Sequence, residues 1–501
     1  MPNIVNLIIK RMLKKITFYI NESKSIDFLS KFIISVTFIS WMLFGRAFSG
    51  LYIFGFRLGE LIIGIGVVLS FGIMLAPRKS QFFIDKKTMY FHKILVLLFF
   101  PVVILSGSEF LNSYTYKSST YIWTFCFIYL GSYIFGKDTN HILFKLTRIV
   151  LPIIYFFNTF IFPHFIFNFF NKYSDKFDYI KASDIVLVFV VINFLNKKLI
   201  TSDTKRFYSF IISLGFFIPL MSFMSRGSFL AILIYAAIEF LQLFKFIRTK
   251  FKSFIIGCLL GFSAFTFSTV NVTSDVLHIL DNFIDDITES YDLDVDININ
   301  FNWLNFGSKD IDPFSPKEVT YEEIVQNIDR GINRRNQNIF ELLSFRSFSV
   351  EGGANGFRFY TSEPLANWRL QLWQDIIFDM DQKDILLTGY GYKEKIPAME
   401  LEDNNGNDST NENVHNYFVQ TLARGGLSHL IAVISLNILI IAYWKNKYKN
   451  YKILQYMFPL LLVASFDPAL ETVRYPFIYY TFLGYFLKTG IEAESNTKGD
   501  Q

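Results

Sequence analysis

Long runs of apolar residues alternate with short polar connections along most of the chain. Several of these runs reach the roughly 18–20 residues that an α-helix needs to cross a bilayer. A soluble protein of this length would show shorter amphipathic periods instead. We therefore predict an all-α polytopic membrane protein. The predicted spans number twelve and cover residues 27–45, 51–76, 92–107, 120–136, 146–165, 182–198, 207–224, 228–244, 252–272, 413–443, 452–466 and 473–488.

One long polar segment, residues 273–412, interrupts the apolar runs. It is too long for a simple connection and too rich in Trp, Phe and Leu to be wholly disordered. Its parts 318–345 and 364–380 have the apolar spacing of helices, so we predict a partly helical loop. The predicted domains are a membrane domain of about nine spans (1–272), the loop domain (273–412), a membrane domain of about three spans (413–490) and a tail (491–501).

Charge is divided unevenly between the loop and the rest of the chain. The formal net charge is +5, yet residues 273–412 carry 11 Lys and Arg against 27 Asp and Glu, a net of −16. If the N-terminus lies inside, every basic cluster in the short connections falls on the cytoplasmic side, as the positive-inside rule requires. The pattern therefore predicts cytoplasmic termini and an external loop.

Composition narrows the chemistry further. Cys126 and Cys258 fall in different apolar runs, which argues against a disulfide framework and against a zinc site. We find no P-loop, no dinucleotide fingerprint and no Asp-rich metal motif. We therefore expect no cofactor, no metal and no nucleic-acid partner, whereas membrane lipids surround the chain.

The stretch 413–426 stands where the polar loop gives way to an apolar run, so it should lie at a membrane surface. Its histidine, His415, can titrate near neutral pH and exchange protons with a substrate held at the interface. The alternative is that His415 only caps a helix or bonds to a carbonyl group. A second histidine, His429, is predicted to be a packed polar group inside the membrane.

Two arginines on the outer side are candidates for binding an anion. Arg226 lies in the turn Ser225-Arg226-Gly227 between two spans, and Arg369 lies on a predicted loop helix, four residues before Trp373. A guanidinium suits a diphosphate because its fork gives bidentate contacts and stays charged. The alternatives are an arginine that only sets topology and an ordinary surface helix.

The last outer turn contains a further group of charged residues. Glu471 and Arg474, with Asp467, could line the same outer site or could neutralise one another. Asn416 and the loop residue Arg346 are further candidates for lining the site, although most loop arginines are expected to pair with the many acidic residues.

Three short motifs occur in order on the predicted outer side, over residues 220–430, and together resemble one known family. They resemble the signature of the O-antigen ligase and O-antigen polymerase superfamily, whose membrane glycosyltransferases are GT-C-like. The motifs are Ser225-Arg226-Gly227, then Arg369 and Trp373 followed by Gly389-Tyr390-Gly391, then His415-Asn416 followed, after nine intervening residues, by Gly426.

The resemblance implies a metal-independent glycosyltransferase at the periplasmic face of the bacterial inner membrane. Its donor would be an oligosaccharide linked to undecaprenyl diphosphate. Arg226 and Arg369 would then bind the diphosphate, and His415 would activate or orient the acceptor hydroxyl. A polysaccharide chain-length regulator is a further partner that the resemblance implies.

The two activities of the superfamily differ in their acceptor substrate. An O-antigen polymerase adds chain to another lipid-linked repeat unit in lipopolysaccharide biosynthesis, whereas a ligase transfers the glycan to lipid A-core. The corresponding motif of ligases is His-Asn, nine residues, Gly, two residues, and then a small residue or tyrosine. This chain has His429 at the last position, which favours the polymerase and leaves the ligase as the alternative.

A lipid-linked oligosaccharide flippase or other transporter is the competing class. Such a protein would place charged residues within its spans, along an aqueous cavity. Here charged residues are few in the predicted spans, and a transporter does not explain the long external loop. A transporter is therefore the less favoured alternative.

Overall fold

Helices make up most of the described chain. The computed structural model describes residues 24–75, 112–135, 140–159, 180–273, 348–399 and 414–491, apart from a few positions within these ranges, and single residues in 93–104 and 166–174. The helices are α1 Lys24–Ser49, α2 Leu58–Leu75, α3 Ser113–Ser118, α4 Thr120–Trp123, α5 Phe127–Ile134, α6 Asn140–Thr159, α7 Ala182–Leu199, α8 Asp203–Met224, α9 Arg226–Thr249, α10 Phe251–Thr273, α11 Pro364–Gln382, α12 Tyr417–Tyr448, α13 Ile453–Ala464 and α14 Arg474–Thr489.

Several described helices are suited to a bilayer. Four of them are long and apolar enough to cross it, namely Phe32–Ser49, Arg226–Phe244, Phe251–Val272 and Tyr417–Tyr448. The chain is thus a helical membrane protein, as its apolar runs predict. The number of spans, twelve, stays a prediction.

The predicted span 120–136 is not one regular helix. Helices α4 and α5 are separated by a 3₁₀ turn, Thr124–Cys126, and α3 precedes them. Because 3₁₀ turns tighten the backbone, this run is locally narrower than an α-helix. Periodicity alone does not reveal such a change, since most residues of this run are apolar.

Two buried helices, α7 and α14, run parallel through the core. At one end the guanidinium of Arg474 binds the carboxylate of Asp184, with Nη2 and Oδ2 2.8 Å apart. At the other end Lys198 reaches the side chain of Thr489. Since each contact joins equivalent ends of the two helices, their directions agree.

Helices α5 and α14 approach closely because each has a glycine at the contact. A Cβ added to Gly131 would lie 1.7 Å from the carbonyl oxygen of Thr481, and one added to Gly484 would lie 2.0 Å from that of Ile128. No side chain fits in these places. Small residues at such contacts let helix backbones pack directly in membranes.

Lysines gather at the end of the bundle opposite Arg474. Lys197 pairs with Glu239 and binds the Oε1 of Gln455 at 2.6 Å. At the same end Lys447 donates to the carbonyl oxygen of Leu487 at 2.9 Å. The sequence predicts that this end faces the cytoplasm.

The described part of the loop contains one α-helix, one short 3₁₀ helix, Pro397–Met399, and one hairpin. Helix α11 matches the predicted segment 364–380. The strands β3, Phe348–Gly353, and β4, Gly356–Thr361, pair antiparallel and were not predicted, although alternating aromatic residues flank a Gly-rich turn, which is a hairpin signal. A shorter pair, β1 Tyr52–Ile53 and β2 Phe56–Arg57, precedes α2.

Two predictions fall on residues outside the described ranges. These are the helical segment 318–345 and the site candidate Arg346. They stay predictions.

Candidate functional site

The turn between α13 and α14 is the point where two of the predicted motifs meet. Arg369, on α11, donates from Nη1 to the carbonyl oxygen of Phe466 at 2.5 Å. The same phenylalanine packs on the first turn of α9, because a Cβ added to Gly227 would lie 3.1 Å from the Cβ of Phe466. Two motifs that are distant in the sequence therefore contact one residue.

Arg226 is the first residue of α9 and has an exposed side chain. The hydroxyl of Ser225 caps the helix by accepting from the backbone N–H of Ser228 at 3.4 Å. No side chain in the described ranges forms a hydrogen bond or ion pair with Arg226. The positive end of the helix dipole adds to the guanidinium charge. This turn therefore presents positive charge to an anion.

His415 has an unusual backbone conformation and lies just before the start of α12. Its φ is +57°, in the left-handed region that few residues other than glycine adopt. The next residue, Asn416, is the N-cap, and its Oδ1 accepts from the backbone N–H groups of Phe418 at 2.9 Å and Val419 at 3.1 Å. Asn416 therefore has a structural role, which accounts for its place beside the histidine.

Helix α11 packs over the chain at His415. The imidazole meets the ring of Trp368 edge to face, with ring centroids 5.6 Å apart. The indole N–H of Trp373 donates to the carbonyl oxygen of Val414, the preceding residue, at 2.8 Å. Trp373 therefore contacts the backbone beside His415 and helps to hold it against the helix that carries Arg369.

The electrostatic surroundings keep the His415 imidazole neutral. Burial, with a smaller contribution from the positive charge of Arg369, lowers its pKa to about 4, and the negative charge of Asp467 opposes this shift. A histidine with this pKa is unprotonated at pH 7. Its buried Nδ1 makes no hydrogen bond within the described chain. His415 thus has a free nitrogen with the protonation state of a base.

Glu471 has the opposite shift. Burial and the carboxylate of Asp467 raise its pKa to about 8, against the lowering effects of Arg424 and of the backbone amide of Asn416. The carboxyl group is therefore protonated at pH 7. Neither of its buried oxygens has a hydrogen bond of ordinary geometry with the described residues. Glu471 and His415 both interact with Asp467, so they belong to one electrostatic group.

Arg474 does not neutralise Glu471, which was one of the two alternatives for this turn. Its guanidinium binds Asp184, with Nε and Oδ2 2.9 Å apart. Among the loop arginines, Arg358 pairs with Asp375 at 2.7 Å, as expected for an arginine in an acidic loop. Arg474 thus stabilises the core next to the site.

Arg424 is a buried residue of this region that the sequence analysis did not single out. Only 1% of its surface is exposed. Its Nη1 donates to the carbonyl oxygen of Gly391 at 3.2 Å, and its Nη2 donates to the hydroxyl of Tyr114 at 2.7 Å. An arginine inside an apolar run is a signal that could have identified it, because buried charge in a membrane helix is costly.

The described residues contain no group of three His, Cys, Asp or Glu side chains that could hold a metal ion. The arrangement at the turn is instead two arginines, a neutral histidine and a protonated carboxyl group. Such a set can bind an anion and accept a proton.

No protein-family model matches the chain, and no curated protein matches it.

Proposed function

We propose that this protein is an O-antigen polymerase. It joins oligosaccharide repeat units linked to undecaprenyl diphosphate, at the periplasmic face of the bacterial inner membrane. The observation that carries the proposal is the contact of Arg369 and of the Arg226 turn with the same residue, Phe466, beside His415. Anion-binding groups and a base in one place are what a glycosyl transfer from a lipid diphosphate requires.

The diphosphate binds to the two arginines. Arg226 is exposed at a helix N-terminus, and Arg369 is half-buried on α11. When the donor is bound, the two guanidinium groups offset the charge of the diphosphate. Charge develops on this group as the glycosidic bond breaks, so the arginines stabilise the transition state more than the ground state.

His415 accepts the proton of the acceptor hydroxyl. The hydroxyl oxygen attacks the anomeric carbon of the donor sugar, a new glycosidic bond forms, and the bond between that carbon and the phosphate oxygen breaks. Undecaprenyl diphosphate leaves with the electron pair, and the proton goes to the imidazole. A base contributes roughly 10²–10⁴-fold to such a step, and the burial of His415 supports its being unprotonated beforehand.

Glu471 lines the acceptor side of the site. Its protonated carboxyl can both donate and accept a hydrogen bond, and apart from the interaction with the backbone amide of Asn416 its oxygens have no hydrogen bond of ordinary geometry in the described chain. A sugar hydroxyl would supply the missing partner, and satisfying a buried polar group of this kind favours binding.

The arrangement of charge along the bundle supports the proposed sidedness. The site lies at the end opposite Lys197 and Lys447, and basic residues mark the cytoplasmic side of membrane proteins. The proposed chain-length regulator would therefore meet this protein on the periplasmic side.

The test is glycan banding on a gel from cells that lack this gene, with wild type or a variant restored. We expect lipid A-core that bears one repeat unit in the deletion strain. Wild type should restore the polymer ladder, and His415→Ala and Arg369→Ala should not. Asp381→Ala is the control for Arg369, because Asp381 is an exposed charged residue of the same helix.

Three other outcomes of this experiment would lead to different conclusions. Accumulation of lipid-linked polymer with no glycan on lipid A-core would mean that the protein is the ligase. An unchanged ladder in the deletion strain would contradict both activities. Full rescue by His415→Ala would remove the base from the mechanism.

A further inference from the structure

Helix α12 is broken near its start, and the loop takes over the hydrogen bonds that the break releases. Gly426 has φ +67° and ψ −171°, far from helical values. In an unbroken helix the N–H of Leu427 would bond to the carbonyl oxygen of Ala423. Instead, Leu427 donates to Leu386 at 2.8 Å, and Ala423 accepts from the N–H of Tyr390 at 2.8 Å.

The contact requires glycine on both sides. A Cβ added to Gly389 would lie 2.5 Å from the carbonyl oxygen of Arg424, and one added to Gly426 would lie 2.3 Å from the carbonyl carbon of Leu387. Both glycines have positive φ, so a side chain would be strained as well as crowded. The Gly-x-Gly motif therefore serves to bring residues 386–394 onto the backbone of α12. We call residues 386–394 the docking segment.

Three buried side chains close this contact from the membrane side. The hydroxyl of Tyr392 lies 2.6 Å from the Nδ1 of His429 and 2.9 Å from the hydroxyl of Tyr121. In one consistent arrangement Tyr121 donates to Tyr392 and Tyr392 donates to the Nδ1 of the imidazole. The cluster joins the loop to α4 and α12 at once.

His429 fits this place only because its neighbour on the helix has no side chain. A Cβ on Gly425 would lie 1.9 Å from the Nδ1 of His429. The imidazole thus lies back over the first turns of α12, towards Tyr392. Ser118 adds a bond from its hydroxyl to the carbonyl oxygen of Tyr392 at 2.8 Å.

The docking segment follows α11 directly, so its position limits where α11 can lie. The same helix carries Arg369, bound to Phe466, and Trp373, bound to Val414 beside His415. Helix α11 is thus held near its middle by the site and at its end by the docking segment. Release of the segment would let the arginine move relative to the histidine.

We propose that Tyr392, His429 and Tyr121 are positioning residues, which hold the docking segment on the break of α12 and so set the distance between Arg369 and His415. This inference rests on the proposed function for its catalytic consequence, but not for the docking itself. A displacement of about 1 Å between catalytic groups costs roughly 10²-fold in rate.

The first experiment measures docking without reference to activity. Ala398, 6% exposed and buried beneath α11 shortly after the docking segment, is replaced by cysteine in a Cys258→Ala background. Labelling with a membrane-impermeant maleimide from the outer side then reports how often this region opens. We expect Tyr392→Phe and His429→Leu each to speed labelling by about tenfold, because each removes buried hydrogen bonds.

Two further variants separate hydrogen bonding from packing. His429→Asn keeps an acceptor near the position of Nδ1, so it should label more slowly than His429→Leu. Tyr456→Phe is the matched control, since its buried hydroxyl donates to the carbonyl oxygen of Tyr479, away from the docking segment, and removing it should leave labelling unchanged.

The second experiment measures the catalytic consequence in the same variants. We expect Tyr392→Phe to lower kcat while the KM for the lipid-linked donor changes little, with thermal stability in detergent close to wild type. Unchanged labelling in Tyr392→Phe and His429→Leu would overturn the proposal. Faster labelling with unchanged kcat would also overturn it, since the contact would then not position the site.

The two proposals fail in different ways. If cells lacking the gene keep a normal glycan ladder, the proposed function is wrong, while the labelling result still reports on docking. If the ladder depends on His415 but not on Tyr392, the function stands and the positioning role is wrong.

Discussion

The indole N–H of Trp373 donates to the carbonyl oxygen of Val414 at 2.8 Å, and this bond ties the loop helix α11 to the residue before His415. The backbone at His415 has a positive φ, which neighbouring contacts must maintain. The bond therefore connects the conformation of the histidine with the helix that carries Arg369.

Trp373→Phe should slow the proposed glycan transfer without unfolding the protein. It removes one hydrogen bond, worth about 1 kcal/mol, and keeps most of the aromatic packing. We expect the rate of glycan transfer in purified membranes to fall roughly fivefold. Trp444→Phe is the control, because its N–H donates to the Oδ1 of Asn450 at 2.8 Å at the opposite end of the bundle. Equal rates in the two variants would contradict the role of Trp373.

The pKa of His415 should respond in opposite directions to two neighbouring substitutions. In wild type it lies at about 4, lowered by burial and by Arg369 and raised by Asp467. Arg369→Gln removes a positive charge and should raise the pKa, whereas Asp467→Asn removes a negative charge and should lower it. Histidine NMR of selectively labelled protein in nanodiscs measures this, and His415→Ala identifies the signal. Shifts of the same sign in both variants would argue against this charge arrangement.

Glu471 should make the protein less stable as the pH rises. Its pKa is raised from 4.5 to about 8 in the folded protein, so the folded state holds a proton that the unfolded state releases. The contribution of Glu471 to stability is thus complete below about pH 4.5 and is lost as the pH rises towards 8. We expect Glu471→Gln to reduce the fall of Tm between pH 5 and 8.

A matched control for Glu471 is Asp381→Asn, which removes an exposed carboxyl group from α11. It should leave the pH dependence of Tm as in wild type. If Glu471→Gln and wild type lose stability in parallel with pH, the carboxyl group is not held protonated.

The glycines between α5 and α14 should tolerate no side chain. Gly131→Ala and Gly484→Ala place a methyl group within 1.7 Å and 2.0 Å of backbone atoms of the facing helix. Overpacking of this kind costs about 1–3 kcal/mol or more, because backbone cannot move aside as a side chain can. The control is Gly72→Ala on α2, where a Cβ meets nothing within 4 Å. Thermal unfolding in detergent should separate the two sites, and similar Tm values would contradict the close approach.

The buried pair Lys197 and Glu239 should behave as a unit. Lys197→Met leaves the carboxylate of Glu239 buried without its ion pair, at a cost of about 3–5 kcal/mol. Adding Glu239→Met should recover a large part of that loss, since no unpaired charge remains. The control is Lys205→Met, an exposed position at the same end. Folded yield and Tm measure the effect, and additive losses in the double variant would exclude coupling.

The membrane helices could be predicted because the signal is local. The predicted spans 182–198 and 207–224 match α7 and α8 within a few residues, and the predicted loop segment 364–380 matches α11. A run of apolar residues directly indicates a segment that lies in lipid or in the protein core. The four-residue spacing of Arg369 and Trp373 indicates that they share one face of a helix. The pKa values of His415 and Glu471 could not be read in this way, since they depend on burial and on Asp467 and Arg369.

The chain by itself determined that this is a helical membrane protein, with basic residues at one end of its helices and a few candidate side chains at the other. Only the tertiary structure decided that Arg369 binds Phe466, 97 residues away, and that Tyr392 bonds to His429 across the broken helix α12. The physical reason is that the spacing of apolar residues indicates which side of a helix is buried, and this information extends over only one or two helical turns. Contacts between distant segments arise when backbones approach, as they do where Gly389 and Gly426 meet.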